Sequence, residues 1–223
     1  MTRDYYKAGG RKYYKVGSDC VLYHAYWDGT AKDHSKYGND GTVAGATFVE
    51  NGLHFDGTDD GVTIADSTDL KPTEAVSVFI WVNSLWEASH SIIHVGDGSG
   101  TGGWGIYPWT GDYGGNANLA GYVQHYVTYA AQTGLTTPTS LWGLLALTYD
   151  KINVSISVNA GGQNQTACNL SMTYAAGHKL EIGNLFGWYP YHGLIGEILV
   201  FNTFKTTANI TDYFNFTSAR YGL

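Results

Sequence analysis

Apolar and polar residues alternate along most of this 223-residue chain, in short runs separated by Gly, Asn and Asp. Alternation sends successive side chains to opposite faces, so the pattern predicts β-strands rather than helices. Val21, Tyr23, Ala25 and Trp27 fall on one face of an early strand. Asp33 to Gly41 (DHSKYGNDG) reads as a turn-rich loop, with Asn39-Asp40-Gly41 as its strongest turn signal. Leu53-His54-Phe55 runs into the turn DGTDDG before Val62 and Ile64. Val76 to Val82 is apolar on both faces except at Ser77, which predicts a strand buried on both sides. Ser91 to Val95, Trp104 to Trp109 and Leu119 to Tyr129 read as three more strands, with the glycine-dense loop Thr110 to Asn118 between the last two. Leu141 to Tyr149 and Ile152 to Val158 form a pair joined through Asp150-Lys151; Lys179 to Ile182 and Leu194 to Phe201 close the series. Only Thr207 to Phe214 reads as helical. Strands without helical crossovers predict an all-β antiparallel sandwich or jelly roll. Residues 19–223 show no break in composition, so one domain is expected, preceded by an arm over residues 1–18.

Charge changes this picture at the N-terminus. Residues 1–18 hold five Lys or Arg against one Asp, whereas the remainder holds seven against eighteen Asp or Glu. The arm also repeats itself: Tyr5-Tyr6-Lys7-Ala8-Gly9 returns as Tyr13-Tyr14-Lys15-Val16-Gly17 around Gly9-Gly10, which fits a hairpin or one extended segment. A frayed terminus is the plain reading. The alternative is an assembly device in which Tyr5, Tyr6, Lys7, Arg11, Lys12, Tyr13, Tyr14 and Lys15 contact copies of the same chain or another structural protein. An acidic body would repel nucleic acid, so none is expected as a partner. No apolar run approaches the roughly 18 residues of a membrane span, and none is expected. No hydrophobic stretch follows the basic N-terminal residues, so no secretory signal is predicted; a signal already removed, export by another route, or a virus particle released by lysis would each fit. Cys20 and Cys168 allow one disulfide or two buried free thiols.

Four segments carry a family likeness: VLYHAYWDGTAKDHSKYGNDGTV, GLHFDGTDDGVTIADSTDLKPTEAVSVFIWVN, LWGLLALTYDKINVSISVNAG and IGEILVFNTFKTTANITDYFN. In this order they resemble the LamG-like jelly roll of the concanavalin A-like lectin and glucanase superfamily. The resemblance spans residues 19 to about 217 and implies a concanavalin A-like jelly-roll sandwich. It does not imply one activity, because the fold carries lectins, adhesion domains, hydrolases, lyases and viral structural proteins. One departure stands out: where the family commonly has Ile-Asp-Glu, this chain has Ile195-Gly196-Glu197, losing a carboxylate that serves a structural calcium in relatives. Asp33, Asp56, Asp59 and Asp60 are the remaining candidates for calcium, which takes six to eight oxygen ligands. Turn-shaping by the same aspartates is the competing reading.

Catalytic chemistry finds little support in the sequence. Glycosidic cleavage needs two carboxylates held several ångströms apart, and related glucanases place them in a Glu-x-Asp-x-Glu strand. That pattern is absent, and Glu50, Glu74, Glu87, Glu181 and Glu197 are far apart in sequence. Gln124, His125 and Tyr126 echo jelly-roll lyases, but neighbours in a strand face opposite ways, and Arg220 is the only arginine beyond the arm. His90 and His94 would sit about 13 Å apart along a strand, too far to share a metal.

Two glycine-flanked loops are dense in aromatics. Trp104, Tyr107, Trp109 and Tyr113 lie in or beside GGWGIYPWTGDYGG, and Trp188, Tyr189 and Tyr191 in FGWYPYHG. Such rings stack on sugars, with Asp112, Asn116 or Asn118 taking hydroxyls; equally, they fill a subunit interface or cover the ends of the sandwich. These features predict a non-enzymatic structural or adhesion subunit of a multi-copy surface assembly that also binds glycans. A phage virion decoration or fibre, or an extracellular filament, would fit, located on a virion or extracellular surface. The alternative is a free carbohydrate-binding lectin-type module; a divergent glycoside hydrolase or polysaccharide lyase is the third reading.

Overall fold

A computed structural model describes residues 5–8, 11–85, 91–96, 102–109, 118–125, 129–130, 140–184 and 190–223. Within these, two antiparallel sheets form a sandwich. The first runs in the order β12 (Tyr129–Ala130), β11 (Asn118–His125), β10 (Gly102–Trp109), β9 (Ile93–Val95), β16 (Leu180–Ile182), β7 (Gly61–Ile64), β4 (Gly41–Ala44). The second runs β15 (Asn164–Ala167), β14 (Asn153–Val158), β13 (Gly143–Tyr149), β8 (Val76–Ser84), β17 (His192–Phe201), β6 (Gly52–Asp56), β5 (Thr47–Val49). The early strand β3 (Cys20–Ala25) also pairs with β17, beyond the stretch of β17 that pairs with β6.

Central strands of the second sheet are apolar on both faces because both faces are covered. Val76, Val78, Ile80 and Val82 of β8 join the core between the sheets, together with Ile195, Ile198 and Trp104. Phe79 and Trp81 point the other way, into a second apolar layer with Tyr23, Leu199, Ile210, Tyr213 and Tyr221. The helix α1 (Thr207–Thr217) roofs that layer; it starts at a capping box in which the Thr206 hydroxyl accepts from the Asn209 amide and the Asn209 side chain from Thr206. Trp81 Nε1 donates to Thr217 Oγ1, and the Tyr221 ring stacks on Trp81 at 4.4 Å.

The first strand departs from simple alternation. Tyr23, Ala25 and Trp27 share the outer layer, but Val21 lies in the inter-sheet core. Pairing jumps from Val200 opposite Leu22 to Phe201 opposite Cys20, leaving Val21 as the extra residue of a bulge, which turns the preceding face over. Three strands carry too little apolar signal to be read in advance: β4, β5 and the polar edge strand β15. Both cysteines are buried and free, Cys20 in the outer layer and Cys168 in the inter-sheet core.

The arm is a hairpin. Here β1 (Tyr5–Ala8) pairs with β2 (Arg11–Tyr14), placing Tyr5 opposite Tyr14 and Lys7 opposite Lys12. The end of β2 packs on the outer layer of its own chain. Tyr13 is buried against Trp27 and His34 and donates from its hydroxyl to Asp28, and the Tyr14 ring meets Tyr213 at 5.1 Å.

Candidate functional site

Side chains of the first sheet that alternate with its core residues form its outer face. Register pairs align Thr42, Thr63, Glu181, His94, Gly105 and Tyr122 as one row across β4, β7, β16, β9, β10 and β11. Exposure falls along the row: Thr42 is exposed, Thr63 and Glu181 half-buried, His94 and Tyr122 buried. His94 Nε2 lies 3.1 Å from Glu181 Oε2, and its Nδ1 lies 3.3 Å from the Ser91 hydroxyl. A carboxylate that keeps about a fifth of its surface exposed is therefore aimed by a buried imidazole. At the next strand the absence of a side chain matters, because a Cβ on Gly105 would fall 2.6 Å from the Tyr122 ring. The Tyr122 ring thus lies over Gly105, with the half-buried Tyr107 ring 5.4 Å away. Burial pushes the Tyr122 phenol far above its ordinary range, with Tyr107 adding to the shift, so Tyr122 stays a neutral hydroxyl.

This face can accept and donate hydrogen bonds and offers aromatic surface. Glu181 is the only carboxylate of the row, which falls short of the pair that glycoside hydrolysis requires. In the sequence Thr63 is not singled out, Glu181 is weighed only as a catalytic carboxylate and His94 only as a metal ligand, because each sits in a separate strand of three or four residues. The available signal was a polar centre between apolar flanks, as in Leu180-Glu181-Ile182 and Ile93-His94-Val95.

The aromatic candidates separate. Trp104 is a core residue, not a sugar platform: its ring is fully buried and Nε1 donates to the Leu70 carbonyl. Tyr191 is likewise buried, packed edge-on against Phe55 with its hydroxyl 3.0 Å from Ser84 Oγ. Both fall on inward-facing positions, where rings contribute core packing. Tyr107 lies on the outer face described above. Trp109 and Asn118 pair through their backbones. Tyr113, Asp112, Asn116, Trp188 and Tyr189 lie outside the described residues, as does His90.

The carboxylates of Asp56, Asp59 and Asp60 lie within 4.8 Å of one another at the β6–β7 turn. Burial pushes the Asp60 carboxyl above the usual range, with Asp56 and Asp59 adding to the shift and the Asp56 backbone N–H opposing it. Asp33 is not in this group: it accepts from the Tyr23, Ser35 and Asn39 amides and the Ser35 hydroxyl, and so shapes the loop after β3. The family's missing aspartate also has a structural explanation. A Cβ at Gly196 would run into the Tyr221 ring, so the C-terminal segment occupies the space a side chain would need.

A family model described as the concanavalin A-like lectin/glucanases superfamily (Laminin_G_3) matches residues 56–211. The chain belongs to this superfamily. No curated protein matches the sequence. Domain 4 of the extracellular arabinanase AbnA from Geobacillus stearothermophilus, solved with arabinotriose, is similar at TM-score 0.71 and 16% identity, over 88% of this chain and 98% of that one. The binding domain of botulinum neurotoxin DC, in complex with SialylT, is similar at TM-score 0.66 and 13% identity, over 90% of this chain and 51% of that one. Trypanosoma rangeli sialidase reaches TM-score 0.67 at 16% identity, over 96% of this chain and 35% of that one. The chain thus spans about half of the toxin domain and a third of the sialidase, and binding domains and enzymes both occur among these neighbours.

Proposed function

We propose that this chain is a non-catalytic glycan-recognition module that reads sugar hydroxyls on the outer face of its first sheet. The observation that carries the reading is the contrast between the two outer faces. One is sealed by α1, β2 and Tyr221, whereas on the other, among the described residues, Thr42 is exposed and Thr63 and Glu181 are half-buried. Glu181 supplies the acceptor for a sugar hydroxyl, His94 holds it, and Thr63 supplies a further hydroxyl. Neighbours solved with arabinotriose and with SialylT support the ligand class. The test is a glycan array probed with the full chain and with Glu181→Ala: selective binding lost in the variant supports the reading, and uniform silence opposes it. Reducing-end and unsaturated-product assays on a polysaccharide panel are expected to stay blank.

A second reading adds assembly. The basic, tyrosine-rich segment forms a two-stranded sheet of its own ahead of an acidic body, and the two are complementary in charge. In this reading the module is one copy of a virion or extracellular surface assembly, and the hairpin contacts another copy or another structural protein. Light scattering at low and high salt tests it: salt-sensitive oligomers that disappear on starting the chain at Asp19 support it, and a monomer throughout speaks against contact between copies.

Calcium at Asp56, Asp59 and Asp60 belongs to the same proposal. Three converging carboxylates suit a hard, oxygen-seeking cation, and the ion would brace the β6–β7 turn.

A further inference from the structure

The segment over residues 68–75 and the β17–α1 connection form an open cleft of about 450 Å³. Thr68, Asp69, Thr73, Glu74, Asn202 and Phe204 are among the residues that line it. Phe204 is 42% exposed and brings an aromatic ring to the cleft. Both walls are fixed from beneath. Buried Trp104 donates to the Leu70 carbonyl, the Tyr174 hydroxyl to the Pro72 carbonyl, the Met172 amide to the Thr73 carbonyl, and the Ser171 hydroxyl to Glu74. Opposite, the Ser77 hydroxyl donates to the Thr203 carbonyl and accepts from the Lys205 amide, while Asp19 accepts from the Thr203 hydroxyl and Lys205 ammonium at 2.6 Å each. A ligand entering here meets a preformed shape and loses little affinity to loop ordering.

The lining selects a chemistry. Among the described residues it offers one exposed aromatic ring, hydroxyls, an amide and two carboxylates, and no Lys, Arg or His lines it. Glu74 already has a cation in Lys151, which leaves Asp69 to accept hydroxyl protons. Anionic sugars would meet like charge, whereas a neutral ring can lay its C–H face on Phe204 and donate from its hydroxyls. We infer that this cleft is a second saccharide site, selective for neutral mono- or disaccharide units. The inference borrows only its ligand class from the glycan reading, and the two sites can be separated.

The experiment is an NMR amide titration of the full chain with cellobiose, arabinotriose and sialyllactose at millimolar concentration, repeated on Phe204→Ala and Asp69→Asn. Expected is a shift of amides in 68–74 and 202–205 with at least one neutral sugar and none with sialyllactose, weakened about tenfold or more by Phe204→Ala. Circular dichroism checks that this exposed-site variant keeps its fold. No shift in the cleft, an equal response to sialyllactose, or a response unchanged in Phe204→Ala overturns the inference. Shifts confined to Thr63, Glu181 and their neighbours overturn it while sustaining the glycan reading; shifts confined to the cleft do the reverse.

Discussion

Arg220 Nη1 lies 2.6 Å from Oε1 of Glu197, a carboxylate with no exposed surface. The Tyr23 and Tyr213 hydroxyls donate to the same carboxylate, and Arg220 Nη2 donates to the Lys12 carbonyl while its guanidinium lies 4.3 Å from the Trp27 ring. The only arginine beyond the arm is therefore spent on tying both chain ends to β17. Removing one partner leaves a buried charge uncompensated, so Arg220→Met should cost about 3–5 kcal/mol in denaturant unfolding. Adding Glu197→Gln to it should recover part of that loss, since the stranded charge is gone; strict additivity would contradict the pairing.

A pH dependence follows from Asp19. Burial would raise its carboxyl, but hydrogen bonds from Lys205 and Thr203 and the Lys205 charge outweigh that and hold it below the usual carboxylate range. A depressed folded value means the contribution is complete above the unfolded value of about 4 and is lost as pH falls through the folded one. Chemical denaturation between pH 6 and about 3 should show this loss, and Lys205→Met should flatten that part of the curve.

Gly196→Asp tests why the family's carboxylate is missing. The new side chain would collide with Tyr221, so the variant should lose about 1–3 kcal/mol of stability and gain no calcium response. A stable variant with a new response would contradict the steric account.

Calcium should raise the unfolding temperature, and chelator should reverse the rise. Asp59→Asn should abolish the response, yet leave the calcium-free protein unchanged or slightly more stable, because it removes a charge that disfavours ionised Asp60. Calcium-insensitive melting of the parent chain would show that the trio only shapes its turn.

Much of the sandwich was legible from alternation and turn residues, because a strand buried on one or both faces must advertise it. The doubly apolar Val76 to Val82 is the clearest instance. Short polar strands such as Asn164–Ala167 are held by a neighbour's hydrogen bonds and leave little trace in sequence. The bulge at Val21 was hidden because it depends on β17, far away in the chain. Aromatic density misled at Trp104 and Tyr191, since glycine-rich flanks suggest a loop but do not say which way a ring points. Conversely, the row through Glu181 and His94 exists only once β16 and β9 pair.

The most direct test of the central claim is a titration of the parent chain and of Glu181→Ala with whichever glycan an array identifies, followed by calorimetry. The account predicts saturable binding by the parent and a loss of about tenfold or more in the variant, whose fold is checked by circular dichroism. Equal affinity in both proteins would contradict the placement of the site on the outer face of the first sheet.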